Sequence, residues 1–224
     1  MESDVNQPTT AKRGYHAPRR AAHAAATRHA VLAAARELFV SRGYTATSVA
    51  EIATRAGVSV DTIYATVGRK PILLRELVET ALSGTDQAVP AIQRDYVIRV
   101  GQAATAREKI EIYAGAIGGI QQRLGPVFLA LRDAAISDPD CAALWRRISQ
   151  RRAANMRLFA ADLRSTGQLR PDLSDDEVAD IVWSMNAAEY WVLLVHDRGW
   201  SPGRFTTWLA DAWTRLLIDA ESRA

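Results

Sequence analysis

TSVAEIATRAGVSVDTIYATVGRK, residues 47–70, is the stretch on which the reading of the fold turns. Ser48 and Glu51 stand at the S-x-x-E spacing of a capping box, where hydroxyl and carboxylate each satisfy a backbone N–H left open at a helix start. Behind them Val49, Ile52, Ala53 and Ala56 recur at i, i+3, i+4 and i+7, the spacing of one helical face. Gly57 ends that helix, because glycine enters the left-handed conformation without a Cβ clash. After Val58, Ser59 is placed to cap a second helix over residues 60–67, which Gly68 closes. Two short helices joined by a glycine-containing turn make a helix-turn-helix.

The second helix has two unlike sides. Ile63 and Val67, an i, i+4 pair, face a core, which leaves Asp61, Thr62, Ala65 and Thr66 outward. Tyr64 lies at the edge, with Arg69 and Lys70 just beyond. Small hydroxyl and methyl side chains let a helix approach base edges in the major groove, and Tyr and Lys suit phosphate oxygens. Val60 fits either side, packed inward or against a thymine methyl. With the helix-start residues Thr47, Ser48 and Ser59, the candidate DNA contacts are these outward residues plus Val60, Tyr64 and Lys70. Asp61 is repelled by phosphates in a groove unless it accepts a hydrogen bond from a cytosine N4 amine, so it is the candidate reader of a C·G pair. Spacing alone also allows an ordinary helical hairpin whose outer face is merely solvated.

The segment ATRHAVLAAARELFVSRGYTATSVAEIATRAGVSVDTIYATVGRKPILL resembles the DNA-binding domain of the tetracycline-repressor (TetR) family. The resemblance is carried by Leu38-Phe39, Gly43-Tyr44, Thr47, Ile52-Ala53, Ala56-Gly57-Val58-Ser59, Thr62-Ile63-Tyr64 and Lys70. It implies a dimeric repressor that leaves DNA when a small molecule enters a C-terminal helical domain, with Lys70 as a phosphate contact. Three positions depart from the family pattern: Val67 where Phe is usual, Thr66 where His or Tyr is frequent, and Asp61 where a small residue is usual. These bear on the operator sequence and not on the fold.

The charge distribution suits a nucleic-acid-binding end. The chain of 224 residues carries a net charge of +3, yet residues 1–80 hold 11 Lys/Arg against 7 Asp/Glu, and residues 81–224 hold 17 against 18. A basic module on a near-neutral body is what phosphate binding asks for. An apolar content of 48% is enough for a folded core, and no apolar run reaches the length of a membrane span. No signal peptide is read at the polar N-terminus, so a cytoplasmic protein with no membrane partner is expected. Cys141 is the only cysteine, which excludes an intrachain disulfide and a Cys-based metal site.

An all-α fold in three parts follows. Residues 1–22 lack apolar periodicity and read as a flexible basic arm. Residues 23–85 form the helix-turn-helix domain, with a first helix over residues 25–42 and Pro71 in the first turn of a fourth helix. Residues 86–224 form a helical effector-binding and dimerisation domain, with further capping boxes at Thr105/Glu108 and Ser174/Glu177. Gly125-Pro126 is expected to start a separate short helix, and Asp138-Pro139 a long one. Residues 181–195, apolar nearly all round, are expected as one helix covered on both sides, the second cover being another copy of the chain.

Tyr113, Phe128, Trp145, Met156, Phe159, Trp183, Asn186 and Tyr190 fall in helices that, by the resemblance, surround an effector pocket. A mostly apolar effector fits them, though aromatic residues at helical spacing are also plain core. Val192, Val195, Trp208 and Trp213 are the candidate dimer contacts; Trp213 alternatively belongs to the intrachain core. Asn186 and Glu189 need polar partners inside an apolar stretch. Arg146, Arg147, Arg151 and Arg152 read as a solvated helix face. Neither H-E-x-x-H, G-x-S-x-G, a Walker loop nor a Rossmann fingerprint is present, so no enzyme, cofactor or metal is expected. The function expected is a ligand-responsive DNA-binding transcriptional regulator, a homodimeric repressor on double-stranded operator DNA. Two alternatives stand beside it: a helical small-molecule binding protein with a vestigial helix-turn-helix, and an effector-independent DNA-binding protein.

Overall fold

The computed structural model describes residues 17–84 and 89–222. The expected arm therefore falls largely outside the described residues, as does the expected domain boundary near residue 85. The last part of that arm is helical instead, because α1 spans Ala17–Arg42 and begins well before residue 25. Nothing in the alanine-rich run from Ala17 breaks a helix once its C-terminal half is anchored by buried Val31, Leu32, Ala35, Leu38 and Phe39.

Helices α2 (Val49–Ala56), α3 (Val60–Thr66) and α4 (Lys70–Ser83) complete the N-terminal domain. Ile52, Ala53, Ile63, Leu73, Leu74 and Val78 close its core against α1. The C-terminal domain contains α5 (Asp95–Gln102), α6 (Ala106–Ala134), α7 (Pro139–Arg164), α8 (Asp175–Met185), α9 (Ala188–Trp191) and α10 (Pro202–Leu217). Both further capping boxes form, at Thr105/Glu108 and at Ser174/Glu177. Among the described residues there is no strand, only an isolated bridge from Leu169 to Ile218 that ties the α7–α8 turn to the end of α10.

Two expectations about helix breaks are corrected. Pro126 starts no new helix; it lies inside the continuous α6. A proline within a helix costs roughly 3 kcal/mol through a missing hydrogen bond and a ring clash. Here the buried row Ile117, Gln121, Leu124, Val127, Phe128 and Leu131 runs unbroken across it. The carbonyl it frees belongs to Gln122, an exposed residue where solvent can take the bond. Residues 181–195, conversely, are not one helix. The chain bends by 43° between α8 and α9, and residues 192–197 wind more widely as a π-helical turn. Asn186 breaks the ladder because its carbonyl accepts from Gln121 Nε2 instead of continuing the helix.

The central helix of the larger domain is α6, packed by α4, α5, α7, α9 and α10. It lies close against α10 at Gly118, where a Cβ would fall 2.2 Å from Thr206 Cγ2. Gly118 thus serves close helix packing, whereas Gly119 meets no neighbouring helix. Buried Lys109 is held by the Val100 carbonyl at 2.8 Å and by the Asp162 carboxylate at 3.0 Å. No single helix among the described residues is long and apolar enough to cross a membrane.

Candidate nucleic-acid interface and the cluster behind it

The start of α2 is built as its residue types dictate. Glu51 N–H donates to Ser48 Oγ at 3.2 Å, and Ser48 N–H donates to the Glu51 carboxylate at 2.8 Å. That backbone bond, then the Ser48 hydroxyl, holds the Glu51 carboxyl below the usual carboxylate range. Gly57 ends α2 at φ 69°, and Ser59 Oγ accepts from Thr62 N–H at 3.1 Å to start α3. With Ile63 fully buried beneath, Asp61, Tyr64 and Ala65 stand exposed along the outer side of α3. Asp61 makes no hydrogen bond or ion pair with another described residue, so its carboxylate is not spent on capping.

The other candidates are placed less freely. Thr47 is buried and donates its hydroxyl to the Gly43 carbonyl at 2.8 Å and the Leu38 carbonyl at 3.2 Å, which locks α2 onto the end of α1. It is corrected from a DNA contact to a structural residue. Ser48 and Ser59 are exposed but bonded within their caps. Thr62 and Thr66 are half-buried, with the Thr66 hydroxyl donating to the Thr62 carbonyl at 2.6 Å and the Thr62 and Ser59 hydroxyls 2.8 Å apart. Val60 packs partly on the core, which decides the side that periodicity left open.

Lys70 is half-buried at the start of α4, its Nζ 4.1 Å from the centroid of the Tyr44 ring. Burial lowers its pKa, partly opposed by the Asp138 carboxylate. Tyr44 in turn donates its hydroxyl to Asp138 Oδ2 at 2.8 Å. Asp138 is the cap of α7, accepting from Asp140 N–H at 2.9 Å and Cys141 N–H at 3.1 Å. Desolvation by itself raises the Asp138 carboxyl, but these donors outweigh it and leave the group below its ordinary value. Arg69 and Asp140 add an exposed pair at 3.8 Å. The end of the helix-turn-helix domain and the first turn of α7 are therefore joined by a chain Lys70, Tyr44, Asp138. Cys141 beside it is buried and its thiol is pushed up to about 11, which makes it inert.

Inside the larger domain, four of the expected pocket residues meet. Asn186 Nδ2 donates to Tyr113 Oη at 3.0 Å and lies 3.3 Å from Met156 Sδ; the Phe159 ring is 4.7 Å from that of Tyr113. The Phe128 and Trp145 rings meet at a tilt, centroids 4.5 Å apart, and the Arg152 guanidinium lies over the rings of Phe128 and Trp183. Tyr190 is corrected out of this group: it is exposed and stacks on Trp208 at 6.0 Å. The group is packed and not open, because hydrogen bonds and ring contacts fill the space. Two clefts open elsewhere, one of about 620 Å³ beside Arg94, Tyr96 and Gly119, and one of about 390 Å³ beside Arg107 and Thr206.

Arg152 and Gln121 are the residues of this cluster that sequence reasoning missed. Arg152 donates to the Trp183 carbonyl at 3.1 Å and to Asn186 Oδ1, while Arg146, Arg147 and Arg151 are exposed as expected. The signal was present: Ile148, Arg152 and Met156 follow one another at i, i+4 on a buried stripe. Glu189 finds its partner in Arg132 at 2.7 Å, apart from Asn186.

Of the candidate dimer contacts, Trp213 is corrected. It is fully buried within the single chain and stacks on Tyr113 at 5.6 Å. Val192, Val195 and Trp208 are half-buried; Tyr190, which stacks on Trp208, is exposed, as are Leu193 and, near the end of α10, Leu216.

Residues 31–76 match the family described as bacterial regulatory proteins, tetR family. No curated relative matches the chain in sequence. Solved structures share the fold over most of the chain. A protein from Saccharomonospora viridis described as a transcriptional regulator, in complex with choline, is 20% identical with a TM-score of 0.64, covering 86% of this chain and 97% of that one. The SmeT–triclosan complex is 16% identical with a TM-score of 0.67, over 88% and 94% of the two chains. NalD of Pseudomonas aeruginosa, the secondary repressor of the MexAB-OprM multidrug efflux pump, is 19% identical with a TM-score of 0.68, over 87% and 98%.

Proposed function

We propose, on the premise that this chain is a bacterial regulatory protein of the tetR family, that it represses transcription by binding an operator and releases it when a small molecule enters the helical C-terminal domain. The observation that carries the DNA half is α3 itself: a buried Ile63 anchor, with Asp61, Tyr64 and Ala65 exposed on a basic domain. The effector half is supported by the choline and triclosan complexes of proteins with this fold. Effector chemistry is assigned to the polar cluster of α6, α7 and α8 and not to a reaction, so no residue is given a catalytic role. A cytoplasmic location belongs to the same reading.

The dimer belongs to this reading as well. Tyr190, stacked on half-buried Trp208, and the exposed Leu193 and Leu216 offer apolar surface that a second copy would cover. Two α3 helices would then face half-sites roughly 34 Å apart along the duplex.

Binding to the DNA upstream of the protein's own gene, measured across a salt series, tests the proposal. Lys70→Ala should weaken all sequences alike and reduce the salt slope by about one. An unchanged slope removes Lys70 from the phosphate contacts. A wild-type chain that prefers its upstream DNA no more than random DNA returns the protein to a small-molecule binder with a vestigial helix-turn-helix.

A further inference from the structure

Charge balance within the effector domain is uneven. Buried Lys109 has a carboxylate, Asp162, in contact. Arg152 is half-buried, its guanidinium desolvated, and it has no carboxylate within ion-pair distance among the described residues; its hydrogen bonds go to neutral acceptors, the Trp183 carbonyl and Asn186 Oδ1. The nearby carboxylate of Glu189 is already taken by Arg132. A desolvated cation without an anion is costly, and the structure keeps it by laying the guanidinium over the Phe128 and Trp183 rings, 5.9 and 5.2 Å from their centroids. Two further polar atoms here are buried without partners: the indole Nε1–H of Trp183 and Oε1 of Gln121, whose amide holds the Asn186 carbonyl. Native interiors leave few such groups.

We propose that Arg152 is the anion-recognising residue of the effector site, and that the effector is an amphipathic carboxylate with an aromatic or alkyl body. This deepens the proposed function and rests on its effector half. In the structure Asn186 Oδ1 stands where a carboxylate oxygen of the ligand would stand. Displacing it gives Arg152 the planar, two-oxygen partner its fork is shaped for. Phe128, Trp145, Phe159 and Met156 supply the apolar wall for the body of the ligand, and Gln121 Oε1 suits a hydroxyl or N–H on it. Entry requires Asn186 to give way, and Asn186 lies at the bend between α8 and α9, where the helix ladder is already broken.

The test uses the full chain without DNA. Decanoate and 4-phenylbutyrate are each compared with the alcohol of the same skeleton, by thermal midpoint and tryptophan fluorescence. Each acid should bind at least about tenfold more tightly than its alcohol, a factor that a charge-assisted hydrogen bond supplies. Arg152→Met should bring acid and alcohol to equal affinity while the far-ultraviolet circular dichroism stays helical; if that variant does not fold, Arg152→Lys, which keeps the charge and loses the fork, should narrow the preference. Equal binding of acids and alcohols by the wild type, binding of none of the four, or a preference that survives both variants overturns the proposal. A chain that prefers the acids but binds no operator leaves this inference standing and sinks the repressor reading. Operator release by the alcohols alone does the reverse.

Discussion

We propose that operator choice turns on Asp61. It projects from the first turn of α3 with no hydrogen bond or ion pair to any described residue, and its carboxylate is favourable to the helix dipole there but repelled by phosphate. A free carboxylate on a groove-facing helix is useful where it accepts from a cytosine N4 amine. Asp61→Ala should therefore bind random DNA more tightly yet lose roughly 1–3 kcal/mol of preference at one C·G pair per half-site. Affinities of both proteins for all four base pairs at each position measure this. Unaltered preferences in the alanine variant would show that Asp61 only faces water. Thr47 makes the opposite point: its residue type suits DNA, but two backbone carbonyls have already taken its hydroxyl.

At the scale of elements, α7 is the member that can carry a signal. Its N-terminal cap, Asp138, receives the Tyr44 hydroxyl, and Tyr44 carries the Lys70 ammonium on its ring. Further along the same helix stand Arg152 and Met156. At 1.5 Å per residue, Arg152 lies about 21 Å from Asp138, and one rigid helix spans that distance without intermediates. Tyr44→Phe keeps the ring under Lys70 and removes the bond to α7. We expect operator affinity to change little while the effector-induced loss of affinity shrinks several-fold, since couplings of about 1–3 kcal/mol are typical and a hydrogen bond to a charged group is of that size. Titrating operator binding with and without a saturating effector measures the factor. The same effector response in both proteins would take the Tyr44–Asp138 bond out of the coupling.

At the scale of the whole molecule, a second copy is proposed to cover the outer side of α9 and α10. Phe205, Leu209, Trp213 and Leu217 fill the inner stripe of α10 and are fully buried in one chain. A charge at Trp213 would therefore unfold the protein, since losing a buried aromatic side chain alone costs about 3–5 kcal/mol. The informative variant is Leu193→Asp with Leu216→Asp, at exposed positions. It should sediment as a monomer with unchanged helical content and bind single half-sites weakly. A variant that remains dimeric places the interface on another face.

Local chemistry decided a great deal of this protein from the sequence alone. Capping boxes at Ser48, Thr105 and Ser174 and the glycine after α2 set helix ends through atoms a few residues apart, so they are legible without the fold. The inward and outward sides of α3 follow from periodicity in the same way. What only the tertiary structure decided depends on partners distant in sequence. Pro126 stays inside α6 because packing on both sides outweighs a local penalty, and the 181–195 stretch bends because Gln121, Tyr113 and Arg152 claim the polar atoms of Asn186. Trp213 is core and Tyr190 is surface for the same reason: periodicity shows that a residue is apolar on a helix, but which neighbour covers it is settled when the helices meet.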